Sequence, residues 1–208
     1  PETRELCRDG VVGEIWVSGG GVAQGYWNRQ ELSAATFRGR LASDDGREYL
    51  RTGDLGALDS GRLMVTGRLK DMIIIRGANV YPQDVERTVE SPNGALRVGC
   101  CAAFAVEADG EEQLVVVQEA RSWGGRWATL LSEIVARLSE TMGVQAGAVV
   151  LVAPGQVPKT SSGKVRRGAT RAAYVDDQLE EIARWERGKA VSVSPKWQRE
   201  DLVQEQRR

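Results

Sequence analysis

The chain has 208 residues, 27% of them charged and 41% hydrophobic, with a formal net charge of -1. Those proportions describe an ordinary globular protein of one or two domains and give no reason to expect nucleic acid or an anionic membrane as a partner. The count of 0 His removes serine-hydrolase triads, His-containing zinc sites and imidazole relays. Chemistry must then rest on Lys, Arg, carboxylates and backbone donors, which favours electrostatic stabilisation over general-base catalysis.

In chain order, Pro1-Glu2-Thr3-Arg4-Glu5 carries neither a starting Met nor the apolar run of a signal peptide, so it reads as a cut into a longer chain. Gly13 to Gly19 alternates as a strand does, and Gly19-Gly20-Gly21 ends it in a turn. An aromatic pair, Tyr26-Trp27, follows. Glu31 to Phe37 reads as a short helix with Leu32, Ala35 and Phe37 turned inward. A polar turn is expected at residues 43–47. Two apolar runs around Asp59-Ser60-Gly61 signal a β-hairpin, and Asp54 and Arg68 are expected on loops beside it.

Thr66 to Gly77 is the stretch around which the chain is organised. Gly67 and Gly77 bracket Arg68-Leu69-Lys70-Asp71 and then the apolar run Met72 to Ile75, which reads as a strand buried on both faces. A charged segment against a buried strand suggests a hinge between two bodies at Lys70.

Past that point the pattern changes. Pro82 opens a helix with acidic residues in its first turn and Val85 and Val89 on one face. Val98 to Val106 and Gln113 to Glu119 read as strands joined by a turn at residues 108–111. Trp127 to Met142 is an amphipathic helix with the stripe Leu130, Leu131, Ile134, Val135 and Leu138, stopped by Gly143. Trp123 and Trp127 are expected to anchor it. Val149 to Val152 is a further strand. Leu179, Ile182 and Trp185 suggest one more helix in a charged tail or linker over 176–208. The order of elements predicts an α+β domain with a central sheet and flanking helices. No apolar run approaches the roughly 20 residues that span a bilayer. The 3 Cys, two of them adjacent in an apolar run, fit reduced core thiols in a cytoplasmic protein.

Two places point to chemistry. Pro158 to Lys164 is a loop of hydroxyls and glycine ending on a lysine before a helix. Gly163 allows close backbone approach, and Lys164 offers a compact cation for a phosphate or carboxylate. The loop is not a Walker A motif, because Pro158 and Val165 stand where Gly and Ser or Thr are needed. A surface lysine on a solvated turn is the competing reading. Asp54, after Thr52-Gly53, could accept both hydroxyls of a ribose or simply cap a turn.

Gly13-Glu14-Ile15, Gly25-Tyr26-Trp27, Tyr49-x-Arg51-Thr52-Gly53-Asp54-Leu55, Gly67-Arg68-x-Lys70-Asp71 and Pro158-Lys159-Thr160-x-x-Gly163-Lys164 stand in the order found in the acyl-adenylate-forming superfamily. The chain resembles that group, which includes acyl-CoA synthetases, luciferases and peptide-synthetase adenylation domains. Lys70 to Glu86 looks most like the fatty acyl-AMP ligases, although Ala78 and Val80 depart from the Arg and His associated with those positions.

The resemblance implies residues 1–69 as the β-rich end of a large AMP-binding domain, 70–71 as a hinge, 72–175 as a small lid domain and 176–208 as tail. It implies that Asp54 binds ribose, that Arg68 supports ribose or phosphate, and that Lys164 bridges the acyl carboxylate and α-phosphate. Fatty acid and ATP would be the substrates. Mg²⁺ would be held upstream, and the acyl group would pass to the phosphopantetheine of an acyl carrier protein or to CoA. The family's phosphate loop would also lie upstream, so these residues alone are not expected to adenylate. An acyl-CoA synthetase, an assembly-line adenylation domain, or a non-catalytic module binding nucleotide or carrier are the alternatives.

Overall fold

The computed structural model describes residues 2–43, 45–90, 94–108, 110–121 and 126–197. Asp44, Asp109 and Trp123, each part of an expectation above, lie outside the described residues. The chain divides into two compact units, Pro1–Met72 and Ile73–Arg208. No helix among the described residues is long and apolar enough to cross a membrane.

The first unit is built on an antiparallel sheet, β1 (Gly13–Val17), β2 (Leu50–Asp59) and β3 (Arg62–Arg68), in that order. The hairpin forms where Asp59-Ser60-Gly61 predicts it. Ser60 and Gly61 both take positive φ, 52° and 77°, the two-residue turn whose twist matches the flanking strands. Helix α1 (Gln30–Phe37) precedes the hairpin, but its expected inward face is not formed: Leu32 and Ala35 are exposed. Phe37 instead meets the edge of Tyr26 at 5.2 Å. A single 3₁₀ turn, Leu69–Asp71, ends the unit.

The second unit opens with a small hairpin, β4 (Ile73–Ile75) and β5 (Ala78–Val80). The strand expected to be buried on both faces is not: Ile73 is buried, but Ile74 is 48% exposed. The cause is the tight turn at Arg76-Gly77, with φ of 49° and 78°. It folds three residues back on three, so among the described residues β4 pairs only with β5 and one face of the pair stays open.

Helix α2 (Pro82–Glu90) begins at the predicted proline. A five-stranded sheet then forms from β6 (Leu96–Ala108), β7 (Glu111–Ala120), β8 (Ala146–Val152), β9 (Glu181–Glu186) and β10 (Ser192–Val193), in the order β10-β9-β8-β7-β6. Strands β7 and β8 are parallel, joined by α3 (Trp127–Met142), and the other neighbours are antiparallel. A parallel pair needs a crossover of about a dozen residues or more, and α3 supplies it. Gly143, at φ 66°, closes that helix: its N–H donates to the Ser139 carbonyl, and the Val144 N–H donates to the Leu138 carbonyl.

Strand periodicity sorts the core into two layers. Cys101, Ala103, Leu114, Val116, Val149, Leu151 and Ile182 face α2 and α3, where they meet Val85, Val89, Trp127 and the Leu130, Leu131, Ile134 and Leu138 stripe. Ala102, Phe104, Val115, Val117, Val150 and Val152 face the other way, toward Val157, Tyr174 and Leu179, with α4 (Arg167–Val175) on that side. All seven residues of β8 are buried, as a central strand covered on both faces should be. Each fully buried Leu, Ile or Val of this kind contributes roughly 1.5–3 kcal/mol.

The helix expected at Leu179, Ile182 and Trp185 is a correction. Glu181–Glu186 is strand β9, and Ile182 and Ala183 are 0% and 1% exposed. Spacing by threes favoured a helix, yet β8 has buried backbone groups along its second edge that need partners, and β9 provides them. The expected tail is therefore part of the sheet as far as Val193, and Trp197 packs on the same core. Residues 198–208 lie outside the described residues.

Candidate functional site

Asp54 and Arg68 belong to the first unit. Both were expected on loops; both are on strands. Gly53 takes φ 70°, a conformation open to glycine, and β2 resumes immediately with Asp54. Thr52 fixes this kink from both sides: its hydroxyl donates to the Ile15 carbonyl at 2.7 Å and accepts the Asp54 N–H at 3.0 Å. Asp54 lies opposite Arg68 in the β2–β3 register. The Arg68 Nε donates to Asp54 Oδ1 at 2.7 Å, and this contact holds the guanidinium further into its charged form. The side chains are 36% and 53% exposed, so the pair is open to a ligand, and one oxygen of Asp54 is engaged by it.

Lys70 sits in the 3₁₀ turn between two extended residues, Arg68 at ψ 138° and Met72 at ψ 131°. The division between the units falls two residues later. Lys70 is exposed.

Lys164 belongs to the second unit. Its loop is a closed hairpin: Lys159 bridges Val165, the Thr160 N–H donates to the Lys164 carbonyl at 2.8 Å, and the Arg166 N–H donates to the Pro158 carbonyl at 2.9 Å. Gly163 turns the tip at φ 82°. The hydroxyls expected to face a ligand are partly spent inside: Thr160 Oγ1 accepts the Lys164 N–H at 3.0 Å and lies 3.0 Å from Ser162 Oγ. Lys164 itself is exposed, and its ammonium has no carboxylate partner among the described residues. A cation carried on a braced tip, with no internal anion, is available to an anionic ligand. Sequence reasoning missed Glu86 and Glu119, which contact the segments flanking this loop from distant positions. No local pattern signals either one.

Among the described residues no group of three or more His, Cys, Asp or Glu side chains gathers as a metal site. Cys100 and Cys101 are buried and Cys7 is exposed, and all three are free thiols. Burial raises the Cys101 thiol well above its ordinary pKa, with Glu86 and Glu90 adding to the effect.

The family model described as "Disco-interacting protein 2-like, AMP domain" matches residues 70–184, more than half of the chain. The chain belongs to that family. It is 46% identical over 201 residues to the medium-chain-fatty-acid–[acyl-carrier-protein] ligase JamA of Moorena producens, covering 93% of this chain and 33% of JamA. It is 40% identical to the 4-hydroxyphenylalkanoate adenylyltransferase of Mycobacterium marinum, covering 88% of this chain and 31% of that one. Among solved structures, a fatty acyl-adenylate ligase from work on the E. coli and L. pneumophila enzymes superposes with a TM-score of 0.66 at 36% identity, over 82% of this chain and 29% of that one. The chain spans about a third of the length of the curated relatives it matches.

Proposed function

We propose that the chain forms the C-terminal part of a fatty acyl-AMP ligase, which joins a fatty acid to ATP as acyl-AMP with release of pyrophosphate. The acyl group then passes to the phosphopantetheine of a carrier protein. The observation that carries this reading is the 46% identity to a carrier-protein ligase across 93% of the chain; the exposed Asp54–Arg68 pair and the exposed Lys164 tip support it. Asp54 holds the ribose hydroxyls, Arg68 supports the ribose or a phosphate, and Lys164 bridges the acyl carboxylate and the α-phosphate. Lys70 is the hinge about which the chain moves between adenylation and transfer.

The physical logic is that two anions must be brought together. A cation that is desolvated as the reactants assemble lowers the repulsion and stabilises charge in the transition state without proton transfer. ATP would be used with Mg²⁺, but the described residues offer no cluster to hold the metal, so no residue here is assigned to it. The free thiols support a reducing, cytoplasmic setting.

The test is pyrophosphate release by the intact protein supplied with ATP and medium- or long-chain fatty acids, followed by acyl transfer to a holo-carrier protein or to CoA. Transfer to the carrier and not to CoA is the expected result. Efficient acyl-CoA formation would assign an acyl-CoA synthetase, activation of an amino acid would assign an assembly-line adenylation domain, and no pyrophosphate would leave a binding module. Lys164→Ala should lower acyl-AMP formation by about 10²–10³-fold, the usual effect of losing such a contact, and spare transfer from supplied acyl-AMP.

A further inference from the structure

The hairpin 158–166 is braced by its own hydrogen bonds, so it holds its shape as a body. What aims it must act where it joins the rest of the unit. Two carboxylates stand at those joins. At the entry, the Val157 N–H donates to Glu119 Oε1 at 2.8 Å. Glu119 projects from β7 with a side chain only 2% exposed, and Arg97 engages its other oxygen. At the exit, Arg167 is the first residue of α4. Its Nε and Nη2 donate to Glu86 Oε1 and Oε2 at 2.6 and 2.7 Å. Glu86 lies on α2, and its Oε1 also accepts the Ala103 N–H of β6 at 3.1 Å. Charge-assisted and bidentate bonds of this kind fix orientation as well as distance.

We infer that Glu119 and Glu86 are positioning residues for Lys164: between them they pin both feet of its loop to the sheet and so set where the ammonium stands. Neither has a path to a substrate through its own oxygens, which are taken up by protein donors. Their effect is on the geometry of a group that must lie within hydrogen-bond reach of two anions. A misplacement of about 1 Å far from the chemistry can cost about 10²-fold in rate. This inference rests on the reading of Lys164 as the adenylation cation.

The experiment compares Glu119→Leu, Glu119→Gln, Glu86→Gln and Lys164→Ala, singly and with Lys164→Ala added, in the intact protein. Acyl-AMP formation is followed by pyrophosphate release and transfer is followed from supplied acyl-AMP. Glu119→Leu and Glu86→Gln should each lower the kcat of acyl-AMP formation by about 10–10²-fold, leave the KM for ATP unchanged and spare transfer. Glu119→Gln, which retains an acceptor for the Val157 N–H, should recover most of the loss. Adding Lys164→Ala should cause no further loss beyond that of Lys164→Ala alone, because both act through one ammonium.

Losses that multiply with Lys164→Ala, equal losses in both half-reactions, or unchanged kcat would overturn the inference. Should Glu119→Leu fail to fold, Glu86→Gln carries the same comparison, and its transfer activity reports that it is folded. A Lys164→Ala protein with normal acyl-AMP formation would remove the reading of Lys164 itself. A slow Lys164→Ala protein beside unaffected Glu119 and Glu86 variants would remove only the positioning role.

Discussion

Asp54 and Arg68 face each other across the β2–β3 pair, joined by a 2.7 Å ion pair that is open to solvent on both partners. An exposed ion pair contributes little to stability, about 0–1 kcal/mol, so its value must be sought in what it binds. Asp54→Ala should therefore leave folding nearly unchanged while raising the KM for ATP by about tenfold or more, the equivalent of losing a hydrogen bond to a charged group. Steady-state kinetics in the intact protein check this. An unaltered KM would reduce Asp54 to a strand residue that orients Arg68.

The hinge assigned to Lys70 makes a different demand, because it concerns the backbone. Lys70 occupies one 3₁₀ turn between extended residues, so few torsions separate the end of the first unit from the start of β4. Lys70→Pro fixes one φ and removes an N–H donor. Acyl-AMP formation should persist and acyl transfer to the carrier should be blocked. Transfer at the unmodified rate would show that the chain does not turn there.

How much of this was legible in the sequence depended on how local its cause was. The α3 stripe and its Gly143 stop could be read directly, because both follow from residues within one helix and one turn. So could the β2–β3 hairpin, whose turn chemistry sits in Ser60 and Gly61. Strand β9 could not, because what makes residues 181–186 extended is the open edge of β8, some thirty positions earlier. The candidate site divides in the same way. Lys164, Asp54 and Arg68 are singled out as candidates by short motifs. The Glu86–Arg167 contact joins α2 to α4 across 81 positions, and no pattern in either segment signals the other.

The cysteines offer a check on burial that needs no activity. Cys7 is exposed, while Cys100 and Cys101 are 4% and 1% exposed. Burial, aided by the charges of Glu86 and Glu90, keeps the Cys101 thiol protonated well past its ordinary pKa, and the thiol form is unreactive toward alkylating reagents. Under native conditions a maleimide or iodoacetamide should modify Cys7 alone, with the adjacent pair reacting only after denaturation. Mass spectrometry of the labelled peptides reads the result. Native labelling of Cys101 would contradict its place beneath α2 and α3.

Glu14 gives the first unit a predictable response to acid. Its side chain is 4% exposed, and it accepts the Trp16 indole N–H at 2.9 Å and two Arg51 donors at 3.1 and 2.9 Å. Burial works to raise its pKa, but the Trp16 hydrogen bond and then the Arg51 bonds and charge more than offset this, leaving it below the ordinary 4.5. A carboxyl group whose pKa is lower in the folded than in the unfolded chain contributes stability that is present in full above the unfolded value. That contribution is lost as pH falls through the folded value. Denaturant midpoints of the first unit should therefore hold level down to about pH 5 and then drop as pH is lowered further. In Glu14→Gln the midpoint at neutral pH should be lower, since Arg51 loses its counter-charge, and the acid limb should be shallower. An acid limb as steep in Glu14→Gln as in the unmodified protein would assign the pH response to other carboxylates.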